Sequence, residues 1–162
     1  MKTLILIRHG KSCWDNNLKD EYRPLKKRAY KDIKLISKEI KSILTEDFKF
    51  VSSTAVRAHE TAKYFIKRLG LDNDKLELYP ELYTFDSHEL KAFISNLSDD
   101  VDKLVMFGHN PAFTTLASQI GSIFFGNIPT SGFVQIEFEN SSWKDCENGE
   151  TVLHLFPKKL RK

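Results

Sequence analysis

Residues 3–7 are apolar or β-branched without a break, and "TLILIRHG" then turns at once to Arg8, His9 and Gly10. So apolar a run predicts a strand inside the protein rather than on its surface. A full positive charge beside an imidazole at the end of such a strand is costly unless something there compensates the charge.

Further β-rich runs lie at 48–52, 76–79, 103–107, 132–138 and 151–156, and segments with helical spacing separate the first four runs. The first segment, about 25–44, puts Ile33, Ile36, Ile40, Ile43 and Leu44 on one stripe with lysines opposite. A second, about 54–69, has Ser53 as its expected cap and Gly70 as its stop. A third starts at "DSHE", where Asp86 and Glu89 have capping-box spacing, and ends near Asn96. "HNP" announces a fourth that closes at Gly121, with Asn110 as N-cap and Pro111 at the first helical position. This order predicts one α/β domain over residues 1–162. Its central sheet is mostly parallel, with helices on both faces and the two late strands as an antiparallel pair.

Several function classes are disfavoured. The net charge of +3, with lysines scattered through the chain, argues against nucleic-acid binding. The apolar start "MKTLILI" is shorter than the roughly 7–15 residues of a signal-peptide core. No segment approaches the ~20 apolar residues of a membrane span. A cytoplasmic protein is therefore expected. Cys13 and Cys146 have neither the spacing nor the histidine neighbours of a zinc site or a disulfide framework. Neither a P-loop pattern nor GxGxxG occurs.

Ligands of open α/β sheets gather at the carboxyl ends of the strands. There the first run delivers Arg8 and His9, the second leads through "SSTAVR" to Arg57, and the fourth ends in "GHNP" with His109. Taken singly, each residue fits a solvated turn or a helix surface. Together, at the ends of three strands, they form an anion pocket. Guanidinium forks match phosphate oxygens in pairs, and a helix N-terminus adds free N–H groups. Neighbouring cations lower the proton affinity of His9 and leave a ring nitrogen free to attack phosphorus. A metal is not expected, because neither histidine has an adjacent carboxylate and two arginines repel a dication. His59, His88 and His154 lack this placement and are read as structural or solvent-facing.

The motifs "RHGKSCWD", "YRPLKKRAYKD", "SSTAVRAHETA", "PELY", "GHNPAFTTLA" and "IPTSGFVQIEF", in this order across nearly the whole chain, resemble the SixA-type phosphohistidine phosphatases. These form a compact branch of the histidine phosphatase superfamily, which also contains the phosphoglycerate mutases. The resemblance implies a phosphoglycerate mutase-like fold and no metal or organic cofactor. It casts His9 as the phosphorylated residue and Arg8, Arg57 and His109 as the pocket around the phosphoryl group. Arg23 matches another recurring basic position, and Ser12 and Asn110 are further candidate substrate contacts. Where the family often has a small polar residue and, three positions on, glycine, this chain has Lys26 and Ala29.

Larger relatives carry a lid and an acidic proton donor, whereas the stretch between Arg57 and His109 leaves no room for a lid. Glu81, and after it Asp15, are the candidate donors. An open site admits a side chain of a folded protein, so the expected substrate is phosphohistidine on a signalling or phosphotransfer protein. A phosphatase of small phosphoesters and a non-catalytic phosphate-binding module are the alternatives. Trp14 and Tyr22, on the loop over 10–22, offer a recognition surface, and core packing is expected for Phe124 and Phe125.

Overall fold

A computed structural model describes residues 1–14 and 17–161. Six strands form one sheet: β1 (Lys2–Arg8), β2 (Lys49–Ser53), β3 (Leu76–Tyr79), β4 (Lys103–Gly108), β5 (Phe133–Phe138) and β6 (Glu150–Leu155). Their spatial order is β3-β2-β4-β1-β5-β6. The pairs β2–β3, β2–β4 and β1–β4 are parallel, and β5 and β6 add antiparallel at one edge. Fold class and the late antiparallel pair thus match the expectation.

The unbroken apolar run of β1 is explained by layers on both sides. Leu4 and Leu6 pack with α3 (Ser87–Ser95) and α4 (Ala112–Ile120), through Leu90, Ile94, Phe113 and Leu116. Ile5 and Ile7 point the other way, to α1 (Lys27–Ile40) and α2 (Val56–Arg68), through Ile33, Ile36, Phe65 and Ile66. Alternate residues of one strand therefore serve two cores.

A short helix the pattern did not announce, α5 (Pro157–Leu160), packs beside α1. The adjoining Arg161 grips the buried carboxylate of Asp32 with Nε and Nη2 at 2.9–3.1 Å. Arg161→Ala leaves Asp32 only Arg28, at 3.5 Å. Urea unfolding of that variant is expected to give a loss of about 1–3 kcal/mol, because a buried carboxylate is left underpaired.

Helix ends depart from expectation where side chains find other partners. Helix α1 is shorter than 25–44 and has no side-chain cap at Lys26. Ser53 closes β2 instead of capping α2, whose cap is Ala55. The Asp86 carboxylate takes the His88 N–H, but Glu89 bonds Thr84 rather than closing the capping box. Helix α4 starts at Ala112, one residue later than predicted, although the Asn110 side chain still accepts from the Thr114 N–H at 3.2 Å. Phe125 is buried as expected, whereas Phe124 is 84% exposed, a correction to its predicted core role.

Candidate active site

The sheet register assembles the site. Arg8 pairs with Gly108 across β1 and β4, so His9 and His109, the next residues, are neighbours. Their ring centroids lie 5.3 Å apart. Strand β2 flanks β4 on its other side, and Arg57 enters from the first turn of α2. The three arms predicted from the sequence therefore meet at the carboxyl edge of adjacent strands.

Each arm is fixed by the backbone. His9 Nδ1 lies 2.7 Å from the Gly10 carbonyl, which can only accept, so the ring proton sits on Nδ1 and the lone pair on Nε2. The Gly10 N–H donates to Thr61 Oγ1, which itself donates to the Arg57 carbonyl, coupling the turn after His9 to α2. Ser131 closes the other side: its N–H reaches the carbonyls of Arg8 and His9, both at 3.1 Å. Arg8 Nη1 and Asn110 Nδ2 share the Ile128 carbonyl, at 3.0 and 2.9 Å.

His109 Nε2 lies 2.8 Å from Ser53 Oγ, which also accepts the Ala55 N–H. Directing the Ser53 proton to Nε2 satisfies both groups and leaves the histidine's own proton on Nδ1. This use of Ser53 displaces its expected role as helix cap.

Burial above all holds His9 well below the usual imidazole range, against the opposing bond to the Gly10 carbonyl and with the arginines adding to it, and burial and then Arg57 push His109 down to about 3. Both rings are therefore neutral at and above the ordinary imidazole value of 6.5, which nitrogen-resolved NMR titration checks. Because folding lowers their proton affinity, their contribution to stability is whole above the unfolded value near 6.5 and is lost as pH falls toward the folded value, about 3 for His109. For His109 the loss accumulates across that whole window. His109→Asn is expected to flatten the fall of urea-derived stability between pH 6.5 and about 5.

Four buried side-chain polar atoms of the described residues have no hydrogen-bond partner: Arg8 Nε, Arg57 Nε, His109 Nδ1 and Ser131 Oγ. All four belong to this locus. Buried donors are rarely left unpaired unless a ligand completes them. Ser131 also keeps φ at +61°, a left-handed backbone that non-glycine residues seldom adopt.

A cavity of about 290 Å³ opens over His9, with Arg8, Arg57 and Asn110 on its walls. Ser12 and Arg23 line it too, and Arg23 Nη1 donates to Ser12 Oγ at 2.8 Å. The Trp14 ring stacks on the Arg23 guanidinium at 3.4 Å. Glu81 is not brought to this cavity; it lines a separate groove with Tyr79 and Phe93. Asp15 lies outside the described residues.

The carboxylate that does reach the cavity is Asp20, which sequence reasoning missed. Its Oδ2 accepts from Arg57 Nη2 at 2.8 Å, its carbonyl from Arg57 Nη1 at 2.6 Å, and its Oδ1 from Arg23 Nε at 3.2 Å. The Tyr83 hydroxyl also donates to it. Burial alone raises the carboxyl's proton affinity, but the bonds from Tyr83, Arg57 and Arg23 override it and bring the group to about 2. Thr61, Tyr83 and Ser131 were also missed as participants.

A family model of the histidine phosphatase superfamily (branch 1) matches residues 4–93, more than half of the chain. The chain belongs to the histidine phosphatase superfamily. An uncharacterised protein of Mycobacterium tuberculosis is 27% identical over 158 residues, covering 91% of this chain and 96% of that one. The solved structure of the protein histidine phosphatase SixA complexed with tungstate superposes with a TM-score of 0.81 at 21% identity, covering 98% and 99% of the two chains. A mycobacterial glucosyl-3-phosphoglycerate phosphatase complexed with VO3 gives a TM-score of 0.67 at 13% identity, covering 94% and 98%. The fold here is that of SixA.

Proposed function

We propose that this histidine phosphatase hydrolyses phosphohistidine on a partner protein, through a phosphorylated His9. The observation that carries the reading is the cluster of unpartnered buried donors on Arg8, Arg57 and His109 around a neutral His9 with Nε2 free. An oxyanion would pair those donors, and its negative charge would meet the two guanidiniums. Nε2 attacks phosphorus, the bond to the substrate's ring nitrogen breaks, and water then cleaves phospho-His9 to inorganic phosphate. The charge of the transferring group is met by the chain's own cations.

The protein substrate is favoured by what surrounds the mouth. Trp14, Leu18, Tyr22 and Phe85 are all exposed there or on the loop leading to it, and Lys11 joins the cavity wall. Such aromatic and basic groups suit a macromolecular partner better than a small metabolite enclosed on all sides.

The deciding experiment offers the enzyme a phosphohistidine protein and several phosphoesters, quenches within one turnover, and looks for an acid-labile, alkali-stable phosphoenzyme. Mapping that label to His9, with the phosphohistidine protein turned over faster than the esters, is the expected result. Turnover of esters alone points to a small-molecule phosphatase, and binding without an adduct to a recognition module.

A further inference from the structure

We propose that Asp20 is a specificity-determining residue, whose carboxylate at the mouth favours phosphoryl groups carried on a protonated ring nitrogen over phosphoryl groups carried on oxygen. This rests on the phosphatase reading above and adds the origin of its selectivity.

The argument begins with where the leaving group must stand. Attack by His9 Nε2 is in line, so the departing atom lies on the far side of phosphorus from His9. His9 is 7% exposed at the cavity floor, whereas the Asp20 side chain is 42% exposed. Asp20 lines the same cavity over His9, so its carboxylate stands among the groups that a departing ring passes on the way out.

Among the described residues lining the cavity, Asp20 is the sole carboxylate, facing Arg8, Lys11, Arg23 and Arg57. A phosphorylated imidazole breaks down readily when its distal nitrogen carries a proton. The electrons of the breaking P–N bond then return to the ring, and neutral imidazole departs still holding that proton. Without Asp20 the charged side chains that line the cavity among the described residues would all be cationic. An ester is different: its leaving oxygen gains negative charge, which the surrounding cations already favour and a carboxylate opposes.

Asp20 also holds both terminal nitrogens of Arg57. Losing the carboxylate therefore loosens the anion seat for every substrate alike. A ratio of two activities cancels that common loss and leaves the charge effect exposed.

The test measures kcat/KM of wild type, Asp20→Asn and Asp20→Glu for phosphoimidazole and for p-nitrophenyl phosphate, with near-UV circular dichroism and the remaining ester activity reporting the fold. Asp20→Asn is expected to lower the phosphoimidazole-to-ester ratio by about tenfold or more, and Asp20→Glu, which keeps the charge, to restore much of it. Equal losses on both substrates, leaving the ratio unchanged, overturn the inference and reduce Asp20 to a prop for Arg57. A wild type that turns over neither of these nor a phosphohistidine protein overturns the phosphatase reading, and this inference with it.

Discussion

His9→Ala is expected to abolish the phosphoenzyme and to lower kcat on a phosphohistidine substrate by about 10⁴ or more, since no other described side chain stands in its place. Binding should largely survive. Arg8, Arg57 and His109 keep their own anchors, at the Ile128 carbonyl, at Asp20 and at Ser53 respectively. The variant should therefore hold tungstate or vanadate within about tenfold of the wild-type affinity. Added imidazole is expected to enter the vacated space and accept the phosphoryl group, so that phosphoimidazole accumulates in solution. Retention of the alkali-stable adduct in His9→Ala would place the nucleophile elsewhere, with His109 the first residue to examine.

A second large effect follows from the tightness of the turn after His9. A Cβ on Gly10 would stand 2.6 Å from Ala29 Cβ, 3.2 Å from Ser131 Oγ and 3.4 Å from Leu25 Cδ2. Ala29 sits fully buried in α1 and has no rotamer with which to yield. In Gly10→Ala either the helix or the turn after His9 must move. Overpacking of this kind costs about 1–3 kcal/mol. Because the Gly10 carbonyl fixes the His9 ring, the same movement is expected to lower kcat/KM by about a hundredfold or more. The double variant Gly10→Ala with Ala29→Gly removes the shortest contact. It should recover most of the activity despite about 1 kcal/mol lost to a helical glycine. Activity assays and urea midpoints on the wild type and the two variants check both statements. Failure of Ala29→Gly to rescue would assign the clash to Ser131 instead.

The quartet could be read in the sequence because each member follows a strongly patterned strand, so that period and position together indicate which edge it occupies. Arg8, His9, Arg57 and His109 needed only the strand ends and the parallel order to be brought together. Asp20, Tyr83 and Ser131 sit in turns, where no periodicity tells which way a side chain faces. Asp20 lies in a short 3₁₀ turn, and only the bonds to Arg57 and Arg23 reveal its place. Ser131 is betrayed by a backbone angle that its residue type does not announce. Ser53 was assigned a cap because serine before a helix often is one; His109, far away in the chain, claimed its hydroxyl instead. Local propensity was overruled there by a contact fifty-six positions away.

The grip of Arg161 on Asp32 has a mechanical corollary. Asp32 belongs to α1, and less than one turn earlier the same helix sets Ala29 against Gly10. A pulling force applied at residue 161 would thus reach the turn beneath His9 through a single turn of helix. Detaching that last anchor in a single-molecule trap should silence the enzyme before its sheet comes apart.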